Sequence, residues 1–257
     1  MRYWIGLLLL VIAAPALAQD ATAPDARTIL ERATEAAGGE SWLNPSTLQL
    51  TGHAVFYGPD SAEPRTRSDD YRMWRVFDPD RTASHNAQGK VRIRAGVGPN
   101  GDGGVMFEVG YDGETTWTQD GIMPRAEADA YWASAFGFGI IRRALGEGFT
   151  LTRIPDGNSN GHDIYKIRIT DPGGAETIFG IDQQSHYIRT MEFATPRGWH
   201  MRVYDDFTTL TDPNWVQAGT VTLSYNGVVS NTVTWTETIV NAPIADRIFA
   251  YPPSPID

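Results

Sequence analysis

The side chains best suited to binding a metal ion lie in one short segment, residues 156–161, which reads Asp-Gly-Asn-Ser-Asn-Gly. Oxygen donors occupy its first, third and fifth positions and glycine its sixth, as in the first half of a calcium-binding loop. The twelfth position is Ile167, however, where that loop requires a glutamate that binds through both oxygens. The segment therefore favours a β-hairpin turn, although Asp163 offers one further oxygen for a weak calcium site.

No other group of residues is typical of a catalytic centre. The sequence contains no cysteine, which excludes a thiol nucleophile and a thiolate metal site. It contains neither a Gly-x-Ser-x-Gly elbow nor a phosphate-binding glycine loop. No two histidines stand at the spacing of metal ligands; they are His53, His85, His162, His186 and His200. We therefore predict a protein without enzymatic activity, cofactor or metal ion, with a hydrolase assembled from distant residues as the weaker alternative.

The first residues of the chain predict export from the cytoplasm. Arg2 precedes an apolar run at residues 7–14 that is too short to cross a bilayer, and Ala16 and Ala18 suit a signal-peptidase site. We therefore predict that residues 1–18 are a cleaved secretory signal peptide and that the mature chain is soluble and periplasmic or secreted. Because the chain has no cysteine, it lacks the attachment point of a lipoprotein anchor.

The charge of the chain narrows the choice of partner. The sequence has 31 acidic and 21 basic residues, and its formal net charge is −10 at pH 7. Such a surface repels nucleic-acid phosphates and anionic lipid headgroups at long range. We therefore exclude nucleic acid as a partner.

The pattern of apolar residues predicts one helix followed by many strands. Asp25 can cap a helix whose apolar residues recur at helical spacing up to Ala37, and Gly38 and Gly39 end it. From Thr47 the period changes to two, and short turns such as Asn-Gly and Asp-Gly separate the segments, which favours one antiparallel meander. No break in composition marks a second domain, so we predict a single domain over residues 19–257. The predicted strands are 47–56, 71–77, 91–97, 105–111, 149–154, 164–169, 177–181, 187–193, 199–204, 216–225 and 228–240.

One helical segment, residues 124–145, interrupts the strands. It has a broad apolar surface, and Gly137 and Gly139 predict a bend or a division into two short helices. An apolar helical segment between strands of one sheet has to bury that surface on the sheet. The sequence thus predicts a mainly β (α+β) fold, a curved antiparallel sheet with an N-terminal helix and a central helical cap.

Several segments resemble those of the LolA/LppX-like superfamily, which contains outer-membrane lipoprotein-sorting proteins. The resemblance spans most of the mature chain and involves residues 37–40 with 43 and 48–52, the Tyr-Asp-Gly turn and following strand at 111–117, and segments 177–181, 187–193, 204–207 and 242–249. It implies an open half-barrel sheet, closed by helices, whose apolar cavity holds acyl chains or another lipid. The chain is longer than LolA itself and, without a cysteine, differs from a LolB-like receptor lipoprotein.

Two classes of function remain open at this point. If the helical cap packs loosely, the protein is an extracytoplasmic carrier of lipid or lipoprotein acyl chains, with a membrane-associated delivery partner. If it packs tightly, the same residues form a filled core, and the protein binds a partner through a sheet edge or the threonine-rich strand 232–238. The residues that we expect to line the cavity of a carrier are Leu48, Phe56, Trp74, Trp117, Trp132, Phe136, Phe138 and Ile141.

Overall fold

The computed structural model describes residues 23–59, 61, 63–98, 101–135 and 137–253, so the predicted signal peptide lies outside it. Within this part of the chain, 13 strands form one sheet that does not close into a barrel. The helices are α1 (Ala26–Ala37), α2 (Glu40–Leu43) and α3 (Arg125–Ala135), with 3-10 helices at Phe138–Arg142 and Asp246–Ile248. The strands are β1 (Thr47–Tyr57), β2 (Pro64–Val76), β3 (Lys90–Gly96), β4 (Val105–Tyr111), β5 (Thr116–Thr118), β6 (Gly121–Ile122), β7 (Thr150–Ser159), β8 (His162–Thr170), β9 (Glu176–Asp182), β10 (Ile188–Thr195), β11 (Gly198–Thr211), β12 (Asn214–Tyr225) and β13 (Val228–Val240).

The sheet consists of two meanders rather than the single meander that we predicted. Strands β1 to β6 form one and β7 to β13 the other, and they join where β1 pairs with β13, so that Leu48 lies opposite Val240. Alternation in the sequence could not indicate this pairing, because the two strands lie at opposite ends of the chain. The sheet edges are β6 and β7, which are consecutive strands. The helical segment between them must therefore cross the whole width of the sheet.

The N-terminal helix begins and ends where the sequence predicts. The Asp25 carboxylate accepts a hydrogen bond from the backbone N–H of Thr28 at 2.7 Å, and the helix ends at Gly38, whose φ of +134° favours glycine. The apolar residues of α1 are buried against the sheet; they are Ala26, Ile29, Leu30, Ala33 and Ala37.

The predicted helical segment divides into two pieces near its glycines, as expected. Helix α3 is followed by the 3-10 helix at Phe138–Arg142, with Gly137 as its N-cap. A Cβ atom on Gly137 would lie 2.9 Å from the ring of Phe193 on β10, so glycine permits a close approach to the sheet. We call residues 125–135 and 137–145 the cover, because they lie over one face of the sheet, the inner face.

The opposite, outer face of β2 to β5 is also covered. The C-terminal segment crosses it, and the Phe249 carbonyl accepts a 2.6 Å hydrogen bond from the indole N–H of Trp117. Beneath this segment Arg92 and Glu108, each 3% exposed, form an ion pair at 2.8 Å. An Nη atom of Arg92 also donates a hydrogen bond to the Ile248 carbonyl at 3.0 Å. The outer face therefore contains a buried, paired cation beneath a fixed segment.

Two elements that the sequence offers as binding sites are parts of the sheet. The segment 156–161 forms the end of β7 and the hairpin turn to β8, as favoured above. Across the described ranges, no cluster of three or more histidine, aspartate or glutamate side chains is arranged to hold a metal ion. The threonine-rich segment 232–238 lies in β13, which pairs with β1 on one side and β12 on the other, so it is not an edge strand. No helix in the described part of the chain is long and apolar enough to cross a membrane.

Candidate functional site

A cavity of about 210 Å³ lies between the inner face of the sheet, α2 and the cover. Its volume is somewhat below the range of about 300 to 1,000 Å³ that is typical of small-ligand pockets, which suits a narrow ligand. Aliphatic and aromatic side chains form most of its wall. The apolar lining residues include Leu48, Leu50, Met73, Phe77, Ile93, Trp132, Phe138, Phe207, Trp215, Val221, Leu223, Val233 and Trp235.

The apolar wall differs from the neighbouring closed core. Phe179 and Ile167 on β9 and β8 are fully buried under α1 and the cover. Met73, Leu223 and Trp235 point to the same face of the sheet and line the cavity, but they are only half-buried. Large apolar groups that keep access to solvent inside a fold are those that an apolar ligand can cover.

Polar contacts attach the cover to the sheet around the cavity. The indole N–H of Trp132 donates a hydrogen bond to the Thr116 hydroxyl on β5 at 2.8 Å. Two residues further along α3, the Ser134 carbonyl accepts a hydrogen bond from the hydroxyl of Tyr225 on β12 at 2.9 Å. These contacts hold the cover in place over the cavity, which its side chains do not fill.

Arg142 projects from the cover into a group of aromatic rings. Its Nε atom donates a hydrogen bond to the carbonyl of Trp42 in α2 at 2.8 Å. Its guanidinium lies 4.4 Å from the ring centroid of Trp42, 5.1 Å from that of Phe77, 5.3 Å from that of Trp215 and 5.5 Å from that of Phe138. Burial lowers the pKa of Arg142 to about 9, with smaller contributions from nearby arginines. Cation–π contacts, rather than a carboxylate, stabilise this cation.

Arg202 on β11 is the second cation that touches both the cavity and the cover. It donates hydrogen bonds to Nε2 of His200 at 3.1 Å and to the carbonyl of Ala135 at the end of α3. Burial and the charge of Arg202 lower the pKa of His200 to about 3, so this imidazole is neutral and accepts the hydrogen bond. The neutral histidine thus fixes the orientation of the guanidinium.

Buried tyrosines complete the polar part of the wall. Burial raises the pKa of Tyr131 and Tyr204 to about 12 and raises that of Tyr71 further, so all three phenols are neutral. The Tyr204 hydroxyl, close to Arg202, makes no hydrogen bond of ordinary geometry to any described residue. The cavity therefore has neutral hydroxyl groups beside its cations.

The structure places the eight predicted cavity residues in several regions. Leu48, Trp132 and Phe138 line the cavity, whereas Ile141 lies beside it in the closed core of the cover. Phe56 packs on Tyr71 and Phe107 in a second cluster of the inner face. Trp74 and Trp117 lie on the outer face, where both rings contact the guanidinium of Arg92. Phe136 lies outside the described residues.

Sequence reasoning did not identify the cavity arginines. Arg202 shares the alternation of His200 and Tyr204, so its inward position was available from the pattern of β11. Arg142 follows Ile140 and Ile141 in the most apolar part of the cover. A cation at an inward position is unusual enough to mark a site, and this was the signal that could have found both residues.

The fold is similar to solved structures whose sequences are distant. A domain from Vibrio parahaemolyticus, named as an outer membrane lipoprotein-sorting protein domain, matches with a TM-score of 0.53 at 13% identity, over 88% of this chain and 97% of that one. A LolA superfamily protein from Nitrosomonas europaea matches with a TM-score of 0.50 at 14% identity, over 90% and 99% of the two chains. A DUF1329 family protein from Desulfovibrio piger matches with a TM-score of 0.56 at 9% identity, again over 90% and 99%.

These likenesses establish the fold. No protein-family model and no curated protein matches the sequence. The structural matches nevertheless cover nearly the whole of each solved chain, and they show that this protein has a LolA-like fold. The fold implied by the sequence resemblance is thereby confirmed.

Proposed function

We propose that this protein is an extracytoplasmic carrier that binds lipid or lipoprotein acyl chains in the cavity beneath the cover. The observation that carries the proposal is the cavity itself, about 210 Å³ of space that the sheet and the cover leave unfilled between them. A filled core would have buried Met73, Leu223 and Trp235 completely, as it buries Phe179 and Ile167.

The fold adds support of a different kind. One solved structure with this fold is named as a lipoprotein-sorting domain, and another as a LolA superfamily protein. A fold by itself does not determine function, so the proposal depends on the cavity and takes the fold as consistent with it. Export of the chain by the predicted signal peptide, residues 1–18, would place such a carrier between membranes, and the proposal assigns it no catalytic step.

Native mass spectrometry of the chain, purified gently from the compartment to which it is exported, tests the proposal directly. We expect a population with an additional mass of lipid, and uptake of the neutral dye Nile red after the lipid is removed. A chain that carries no lipid and takes up no dye would contradict the proposal.

A variant of the cover shows whether binding takes place in the cavity. Phe138→Asp puts a charge on the apolar wall, so we expect loss of lipid and dye with the circular-dichroism spectrum of the folded protein retained. Ile122→Asp is the matched control, because Ile122 is 61% exposed on β6 and does not line the cavity. Equal dye binding by the two variants would place the ligand elsewhere.

A further inference from the structure

The charged groups of the cavity are all of one sign. Arg75, Arg142 and Arg202 line it, and no aspartate or glutamate of the described residues does. Arg142 and Arg202 also form no ion pair with any carboxylate in the described part of the chain. An excess of positive charge therefore faces a space whose wall is otherwise uncharged and mostly apolar.

Such an arrangement is costly in a protein without a ligand. Each guanidinium loses hydration, and the cations repel one another in a medium of low dielectric constant. Burial, followed by the charges of Arg81, Arg142 and Arg202, lowers the pKa of Arg75 well below its ordinary range. A chain whose formal net charge is −10 has many carboxylates, yet none of those in the described ranges lines this cavity. An anionic ligand would supply the missing charge.

The donors around the cavity suit a planar or tetrahedral oxyanion. Toward the described residues, Arg142 donates hydrogen bonds only through Nε, and Arg202 through Nε and one Nη atom, so each retains Nη donors. Guanidinium groups bind carboxylate and phosphate oxygens through paired N–H donors. Tyr204, 7% exposed, lies beside Arg202, and its O–H group donates to no acceptor among the described residues, so it is a further donor.

We propose that the cavity selects an anionic amphiphile, a single apolar chain whose carboxylate or phosphate head is bound by Arg142, Arg202 and Tyr204. The apolar chain lies against the half-buried wall that includes Met73, Leu223 and Trp235. The volume of about 210 Å³ suits one chain rather than several. This inference rests on the proposed carrier function and specifies its ligand class.

Displacement of Nile red by four probes that share one chain tests the choice of head. We expect dodecanoate and dodecyl phosphate to displace the dye at concentrations about tenfold or more below those of dodecanol and dodecyltrimethylammonium, because hydrogen bonds to charged groups are the stronger ones. Whichever of the two anions displaces the dye at the lower concentration identifies the preferred head, carboxylate or phosphate. If all four probes compete equally, or the cationic probe competes best, the inference is wrong and the carrier function stands. If neither dye nor probe binds, the carrier function itself is wrong.

Two variants with a matched control locate the preference. Arg202→Met keeps most of the length of the side chain but not its charge, and we expect it to weaken dodecanoate binding about tenfold to a hundredfold while dodecanol binding changes little. Arg202→Lys keeps the charge and retains part of the preference. Arg125→Met removes an arginine that is 94% exposed on α3 and leaves both affinities unchanged. Equal losses for dodecanoate and dodecanol in Arg202→Met would contradict the inference, and if that variant fails to fold, the four-probe series decides it alone.

Discussion

Arg92 lies on the outer face of the sheet and Arg202 on its inner face, and the two arginines differ in their hydrogen-bond partners. Arg92 forms an ion pair with Glu108 at 2.8 Å, with both side chains 3% exposed, beneath the C-terminal segment. Arg202 donates to a neutral imidazole and a backbone carbonyl and faces a cavity. The charge of a buried cation that is paired with a carboxylate is neutralised within the fold. A half-buried cation that lines a cavity and has no carboxylate partner among the described residues keeps its charge available for a ligand.

The largest expected effect follows from breaking the outer pair. Arg92→Met leaves the Glu108 carboxylate buried without its cation, so we expect the free energy of unfolding to fall by about 3 to 5 kcal/mol. Urea denaturation monitored by circular dichroism measures this loss. The preference of the cavity for anionic probes should stay unchanged where the variant is folded. A loss below about 1 kcal/mol would remove the distinction between the two faces.

His200, beside Arg202 on the inner face, makes the free energy of unfolding depend on pH. Histidine takes up a proton near pH 6.5 in the unfolded chain, but in the folded chain the pKa of His200 is about 3, because of burial and of Arg202, Arg197 and His85. Below about pH 6.5 the unfolded chain therefore binds a proton that the folded chain does not. This contribution to stability is complete above pH 6.5 and falls as the pH drops, at up to about 1.4 kcal/mol per pH unit.

Comparison with His200→Gln isolates that contribution from those of the carboxylates. The glutamine carbonyl can still accept the hydrogen bond from Arg202 but does not titrate in this range. We expect urea denaturation between about pH 4 and 7 to give a steeper loss of stability for the unsubstituted protein than for the variant. Equal slopes for the two proteins would show that His200 is not held neutral by the inner face.

Two substitutions that each enlarge a side chain on the inner face test whether the cavity differs from the closed core. Ile167→Trp adds volume to a fully buried position, so we expect overpacking to cost about 1 to 3 kcal/mol or more. Leu223→Trp adds similar volume where the cavity lies, so we expect a cost below about 1 kcal/mol and a loss of Nile red binding. Thermal denaturation and dye titration of both variants measure these effects. Equal destabilisation by the two substitutions would mean that Leu223, like Ile167, lies in a closed core rather than at a cavity.

Much of the fold was predictable because its signals are local. The cap at Asp25, the glycine at Gly38 and the period of two in the strands each act within a few residues. The pairing of β1 with β13 was not predictable in this way, since it depends on which apolar faces meet across the whole chain. The division of the cover at Gly137 was anticipated, but its path from one sheet edge to the other follows only from that pairing.

The candidate site was less predictable, for a reason that Trp74 and Trp117 illustrate. Alternation separates the two faces of a strand but does not say which is inner when both are covered. The C-terminal segment buries the outer face of β2 to β5, so large aromatic residues occur on both sides there. Aromatic side chains therefore did not distinguish the cavity from the opposite face. The partners of the arginines do distinguish them, and partners become known only from the three-dimensional structure.

The smallest expected effect on stability, that of Arg202→Met without ligand, is the most direct test of the comparison. The substitution removes hydrogen bonds to His200 and Ala135, a loss of about 1 kcal/mol each, but it also removes a partly desolvated cation close to Arg75. Because these contributions oppose each other, we expect the free energy of unfolding to change by less than about 1 kcal/mol, against 3 to 5 kcal/mol for Arg92→Met. Urea denaturation of the two variants, with Arg125→Met as the exposed control, measures the difference. A loss for Arg202→Met as large as that for Arg92→Met would mean that the inner arginine, like the outer one, is already neutralised within the fold.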